Sequence, residues 1–319
     1  MQRGSTMVDF AVDLIPSLVR RVIRRLGWET AKSWRMVTIR VTRGRLSGRS
    51  PNTLNICLGH VSFPRLYCDL VDLAIAPRLI VGPHRVAVVD DSYVGEFGSA
   101  LSEYVQLMWL CDNYDAITSG YDFVRIFQYR RFIGEKAFGE SSNLPWARRI
   151  KGNMIEFCRL EFNRSSAAEL FGTPFEFSNG MLGQYADTHV LEDMLNFSKF
   201  LTQTGIFEPG RTASFITERR LIPSSNMGVF RVATLKEILQ TLKQAAAFVH
   251  SDYFVQRDGY QRRSVGFLLE RLNSYLILER IRLGISEANF GHQIIISDDY
   301  GITVTDQIAQ GADEAVGGR

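Results

Sequence analysis

The stretch "YDFVRIFQYRRF", residues 121–132, decides how the rest of this 319-residue chain is read. Phe123, Val124, Ile126 and Phe127 form an apolar run of strand length, the pattern of a strand buried in a sheet. The run ends on Tyr129, Arg130 and Arg131. A core strand has no use for two guanidinium groups at its exit unless they meet an anion there. Guanidinium forks match phosphate oxygens in both geometry and charge.

Upstream, "TLNICLGH" (53–60) reads as a strand ending on His60, and "RVAVVDD" (85–91) as a strand ending on Asp90 and Asp91. Between these and the opening stretch lies "SALSEYVQLMWLCDNYDAI" (99–117), which has helical spacing. Ser99 is its N-cap candidate, and Leu101, Val105 and Met108 share one face. Strand alternating with helix predicts an α/β fold: a Rossmann-like, mostly parallel sheet flanked by helices. Ligands of such sheets bind outside the carboxyl ends of the strands. His60, the Asp90–Asp91 pair and Tyr129–Arg130–Arg131 would therefore share one crevice. The carboxylates there would hold Mg²⁺ or Mn²⁺ bridging a diphosphate, or hydrogen-bond a ribose. No GxxxxGK[ST] motif and no GxGxxG after a strand is present, so side chains would have to hold the phosphates.

Downstream the reading turns helical. "HVLEDMLNFSKFLTQTG" (189–205) is a helix stopped by Gly205, "SNMGVFRV" (225–232) a short strand, and "ATLKEILQTLKQAAAFVH" a further helix. "SVGFLLERLNSYLILERIRLG" (264–284) is a long helix whose apolar face includes Val265, Leu268, Leu269, Leu272 and Leu276. The predicted organisation is a basic helix and linker over 1–50, one α/β domain over 51–300, and a flexible tail over 301–319.

Charge sharpens that division. Residues 1–50 hold eleven Lys/Arg against three Asp/Glu, whereas the whole chain carries only +3. "PSLVRRVIRRLGW" in this region has the spacing of a basic amphipathic helix, which suits an anionic membrane surface. The same spacing suits a terminal helix docked on the body with its arginines outward. A basic N-terminus on a near-neutral body argues against nucleic-acid binding. No apolar run approaches the roughly 20 residues that span a bilayer, and no secretory signal is visible. Four separated cysteines without a CxxC pair argue for reduced thiols and against a zinc site. The expected setting is cytoplasmic, peripheral to the inner membrane face if the basic helix engages lipid.

These segments together resemble a bacterial glycosyltransferase-like family of capsule and O-antigen gene clusters. Its signature is a Glu-Leu helix with a later Trp and Asn, followed by a strand ending His-Tyr-Arg-Arg. Glu103, Trp109 and Asn113 fall at the matching spacing, as do Tyr129, Arg130 and Arg131. "GQYADTHVLEDM" resembles its Tyr…His…Asp segment through Tyr185, His189 and Asp193. "SSNMGVF" matches through Asn226, and "YQRRSVGFLLERL" through Arg263, Gly266, Phe267, Glu270 and Arg271. His60 stands where the family has a His after its first strand. The resemblance covers residues 53–280 and implies a GT-A-like fold, a nucleotide-sugar donor and a saccharide acceptor, often lipid-linked.

Three positions depart from the pattern. Gln128 replaces the signature His, "YVGEFGS" (93–99, the 93–98 loop with Ser99) replaces an Asn-Ile-Ser loop, and Asp112 replaces a Lys. The resulting expectation is a glycosyltransferase using an NDP-sugar, UDP above others, with Arg130 and Arg131 on the diphosphate. His60, Tyr129, Asn226 and Arg263 would complete the donor site, and Asp90 and Asp91 would take a metal or the ribose. Glu270 is the first candidate for general base and Asp193 the second; His189, four residues before Asp193, would share its helix face. Gly266 lacks a side chain and so should let a backbone approach that helix. The departures support an alternative, a non-catalytic module that binds a saccharide or a protein.

Overall fold

The computed structural model describes residues 52–59, 71–77, 85–89, 100–144, 146–151 and 168–297. The basic N-terminal region, His60, Asp90, Asp91, the 93–98 loop and the 301–319 tail lie outside the described residues.

The first strands are β1 (Thr53–Leu58), β2 (Leu73–Ala76) and β3 (Val86–Val88), followed by helices α1 (Tyr104–Asp112) and α2 (Tyr114–Thr118). Then come β4 (Phe123–Gln128), β5 (Arg131–Gly134), β6 (Glu140–Ser141), β7 (Ala147–Lys151), β8 (Glu169–Gly172) and β9 (Phe175–Glu176). Helices α3 (Gly180–Ala186), α4 (Leu191–Gln203) and α5 (Pro209–Thr217) lead to β10 (Arg220–Leu221) and β11 (Gly228–Arg231). The described chain closes with α6 (Val232–Ala246), a 3₁₀ turn (Gly259–Arg263), α7 (Ser264–Arg282) and β12 (Ala288–Ser297).

The main sheet runs β3-β2-β1-β4-β11-β8-β12-β7-β6, with β5 pairing both β12 and β4. Only the β3-β2-β1-β4 portion and the pairs of β12 with β8 and β7 are parallel. The other pairs in this sheet are antiparallel. The expectation of a mostly parallel sheet is thus corrected to a mixed one. Its β4-β11-β8-β12-β5 portion closes on itself as a partial barrel. The cause is local: β4 reverses through a tight turn into β5, and the ten-residue β12 changes partners along its length. Gly291 permits the crowding, since a Cβ there would lie 2.3 Å from the Gly134 carbonyl oxygen.

The helix expected over 99–117 is broken at both ends. Ser102 adopts φ +53°, so α1 starts only after it and Leu101 packs in the core from outside the helix. Asn113 interrupts α1 and α2 because its side-chain amide donates to the Trp109 carbonyl at 2.9 Å. Asp112, where the family pattern has a Lys, is ion-paired to Lys243 of α6.

Every position of β4 is buried, including Arg125, which donates to Asn55 at 3.1 Å. Helix α7 is buried around most of its circumference from Ser264 to Leu278 rather than along one face. It is a core helix, packed against α6 and α4 over a cluster containing Phe197, Phe215, Tyr275 and Leu272. Full burial of each such side chain contributes about 1.5–3 kcal/mol. No helix among the described residues is long and apolar enough to cross a membrane.

Candidate functional site

The parallel portion of the sheet sets the location. Leu58 pairs with Gln128 and Ile75, and Ala76 with Val88, so the carboxyl ends of β1 to β4 form one edge. Helix α1 is tied to that edge by Gln106, whose amide donates to the carbonyls of Gly59 (2.8 Å) and Ile75 (2.7 Å). Gln106 is a polar residue inside an apolar run, the sequence signal for an amide that must satisfy buried backbone. The sequence reading passed over it.

At the end of β4 the two arginines part. Tyr129 and Arg130 form the turn, and Arg131 opens β5 opposite Gln128. The pair is therefore not a single strand exit, as the sequence suggested. The Arg130 guanidinium stands 5.2 Å from the Tyr129 ring centroid, and its carbonyl accepts the Ile296 N–H. Gln128, in place of the signature His, is buried.

Arg131 instead lies within electrostatic reach of Glu103, at the start of α1. A Cβ on Gly266 would come within 2.9 Å of the Leu101 carbonyl oxygen and 3.2 Å of Ser102 Cβ. Glycine lets the segment before α1 lie directly on α7, the backbone approach that the missing side chain predicts. The Ser102 hydroxyl then donates to Glu103 at 2.5 Å. Burial alone would push the Glu103 carboxyl up. The Ser102 hydrogen bond, Arg263, the residue's own N–H and Arg131 outweigh burial and hold it below the usual carboxylate range.

Glu103 is thus an anion facing two cations from distant parts of the chain. It matched the family pattern, yet the sequence alone assigned it no role. Arg263 caps α7 from the preceding 3₁₀ turn, 5.4 Å from the Phe267 ring centroid. Its Nε is buried without a hydrogen-bond partner among the described residues. No described carboxylate lies within ion-pair distance of Arg131 or Arg263.

Glu270 lies one side over. Its Oε1 accepts the Ser224 N–H at 2.9 Å, and Arg271 Nη1 stands 3.7 Å from Oε2. The side chain is 31% exposed. The Ser225 hydroxyl donates to the Glu270 carbonyl at 2.8 Å, fixing the 224–226 turn on α7. Strand β11 runs antiparallel to β4 with Gly228 opposite Ile126. Asn226 is buried in the turn over 223–226 that leads into β11. Arg271 is buried behind Glu270, donating to Gln184 Oε1 (3.0 Å) and the Phe267 carbonyl (3.0 Å).

His189 and Asp193 separate. Helix α4 starts at Leu191, so His189 precedes it and does not share a helix face with Asp193. The imidazole stacks on Phe267 (4.1 Å) and its Nδ1 contacts Gln261 Oε1 at 3.2 Å. Burial, with Arg271 and Arg263 nearby, pushes it down to about 3, so the ring is neutral at pH 7. Asp193 is 4% exposed and accepts two hydrogen bonds from Arg257, at 3.1 and 2.8 Å. Its geometry is that of a structural ion pair. Among the described residues no group of three or more His, Cys, Asp or Glu side chains is placed to hold a metal ion.

No family model matches the chain, and no curated protein matches it. Among solved structures, the WbbM bifunctional glycosyltransferase in its apo form superimposes with a TM-score of 0.60 over 77% of this chain, at 13% identity. The fold is glycosyltransferase-like. The match takes in 46% of that protein, so this chain spans under half its length, and the likeness is one of fold.

Proposed function

We propose that the chain is a glycosyltransferase that moves a sugar from a nucleotide-diphosphate donor, UDP above others, to a saccharide or lipid-linked acceptor in cell-surface polysaccharide assembly. The observation that carries this reading is the buried Nε of Arg263, unpartnered among the described residues, next to the Glu103 segment that Gly266 seats on α7, on a glycosyltransferase-like fold. Two cations, Arg131 and Arg263, near one anion leave net positive charge where a diphosphate leaving group develops negative charge. Arg130, in the turn before Arg131, is the second arginine assigned to the diphosphate from the sequence. Asn226 would hydrogen-bond a donor hydroxyl.

In an inverting course, Glu270 accepts the proton of the acceptor hydroxyl while the bond from the sugar to the diphosphate breaks. Its hydrogen bond from the Ser224 amide orients the carboxylate for this. His60, Asp90 and Asp91 are assigned to the donor from the sequence alone. If the reaction uses Mg²⁺ or Mn²⁺, Asp90 and Asp91 are its proposed ligands, and the ion would supply charge neutralisation at the diphosphate. The basic helix within residues 1–50 would hold the protein at an anionic membrane near its acceptor.

The second reading is a non-catalytic saccharide- or protein-binding module, favoured by Gln128 standing where the signature has a titratable His. A thermal-shift series with UDP, GDP, CDP and dTDP, with and without Mn²⁺, separates the two. Stabilisation by one nucleotide supports the transferase. The absence of any shift removes the donor assignment and leaves the binding module.

A further inference from the structure

The exposed aromatic at the rim of the charged cluster is Tyr260, in the 3₁₀ turn Gly259–Arg263. It is 46% exposed, whereas Phe267 and Tyr185 are buried and His189 is half-buried. Phe267 lies 5.0 Å from its centroid and His189 lies 6.0 Å away, inclined by 16°. Phe267 and His189 stack on each other at 4.1 Å, and Tyr185 backs His189 at 4.8 Å. Tyr260, Phe267 and His189 thus form one three-ring cluster, with Tyr185 against His189. A surface tyrosine that serves only solubility does not need such a foundation.

The surroundings of the ring are polar in a particular way. The Arg263 guanidinium is 6.0 Å from the Tyr260 centroid. The Tyr260 hydroxyl is within electrostatic reach of Arg263, Glu270, Arg271 and Glu103. A sugar ring presents an apolar C–H face and a rim of hydroxyls. It is suited by an aromatic face bordered by charged hydrogen-bonding groups. A nucleobase also stacks on aromatic rings, but Phe267, on which Tyr260 packs, stands one turn before Glu270, the proposed base, along α7.

We propose that Tyr260, supported by Phe267 and His189, is the stacking platform for the acceptor saccharide, which it holds with a hydroxyl toward Glu270. This rests on the transferase reading above. His189 then acts as a positioning residue, its ring fixed between Phe267 and Gln261.

The test uses the full chain and two readouts. Saturation-transfer NMR is run with methyl glycosides of common hexoses, 6-deoxyhexoses and N-acetylhexosamines. The thermal shift with UDP is measured on the same samples. The expected result is saturable transfer to at least one glycoside, retained in Tyr260→Phe and weakened about tenfold or more in Tyr260→Ala, a loss of the size expected for a stacked ring. The UDP shift should be equal in all three proteins, which also shows that each is folded. Unchanged glycoside binding in Tyr260→Ala overturns the proposal. So does a protein that responds to UDP but to no glycoside. Loss of the UDP shift in Tyr260→Ala alone overturns it in favour of a nucleobase platform. Failure to bind either probe would take down the transferase reading with it.

Discussion

Gly266 of α7 and Leu101 before α1 touch backbone to backbone: a Cβ on residue 266 would sit 2.9 Å from the Leu101 carbonyl oxygen. That contact brings Glu103 toward Arg263. Alanine normally favours a helix interior over glycine by about 1 kcal/mol. Here the added methyl must displace backbone, an overpacking cost of about 1–3 kcal/mol. Gly266→Ala is expected to destabilise by about 1 kcal/mol net and to weaken UDP binding, because the segment carrying Glu103 moves. Urea unfolding and nucleotide titration check the two effects. A stabilised variant with full UDP affinity would show that the contact is idle.

Arg131→Ala and Arg263→Ala should each lower UDP affinity at least tenfold, since a hydrogen bond to a charged group is worth about 1.5–3 kcal/mol. Arg262→Ala, altering an exposed neighbour on the same turn, should change it little. Calorimetric titration compares the three. Equal affinities across the set would remove the diphosphate from this cluster.

His189 gives the stability a defined pH dependence. Its folded value is about 3 against an ordinary 6.5, so the unfolded chain takes up a proton that the folded chain refuses. The stability associated with its neutral form is complete above pH 6.5 and is lost as pH falls toward 3. Between pH 7.5 and pH 5 the loss is about 2 kcal/mol. His189→Phe keeps an aromatic ring on Phe267 and should flatten that part of the curve. Urea midpoints at three pH values in this window suffice. A variant with the wild-type slope would show that the imidazole titrates freely.

Strands β1, β3 and β4 were legible because their apolar runs end in polar residues, as in "TLNICLGH" and "FVRIFQY", whereas the four-residue β2 between β1 and β3 was too short to stand out. Of the antiparallel strands, β11 was legible in "SNMGVFRV" and the others were not. Strand β12 begins "ANFGHQ", where Gly291 and His292 break any alternation, and its partners are set by tertiary closure rather than by local pattern. At the site, Gly266 could be read because the absence of a side chain has one spatial meaning in a helix. The role of Glu103 could not, because its partners Arg131 and Arg263 come from elsewhere in the chain. The pairing of Asp193 with Arg257 was hidden for the same reason: an i, i+4 match to His189 looked local, while the actual partner is distant.

Gln106 is expected to act through the fold rather than the chemistry. Gln106→Leu removes the amide donor from the Gly59 carbonyl, while the Ile75 carbonyl keeps the Gly59 N–H, and an unpaired buried acceptor costs about 1–3 kcal/mol. Gln106→Glu should cost more at pH 7, because a carboxylate would face two carbonyl oxygens in a site 5% exposed. Denaturant midpoints rank the two variants. Equal stability of both with the wild type would mean that water replaces the amide without loss.

Glu270 and Asp193 were both candidates for the base, and their surroundings now separate them. Glu270 is partly open and is oriented by one backbone N–H, so a proton acceptor there remains accessible. Asp193 is 4% exposed and spends one oxygen on two hydrogen bonds from Arg257. Glu270→Gln preserves the Ser224 contact but cannot take a proton. It should lower UDP release from a donor–acceptor mixture by about 10²–10⁴-fold while leaving UDP affinity within about twofold. Asp193→Asn should instead appear in stability, by about 1–3 kcal/mol, because a charge-assisted bond to Arg257 is lost. Turnover and unfolding measured on both variants resolve the assignment. Loss of turnover in Asp193→Asn with normal stability, and none in Glu270→Gln, would exchange the two roles.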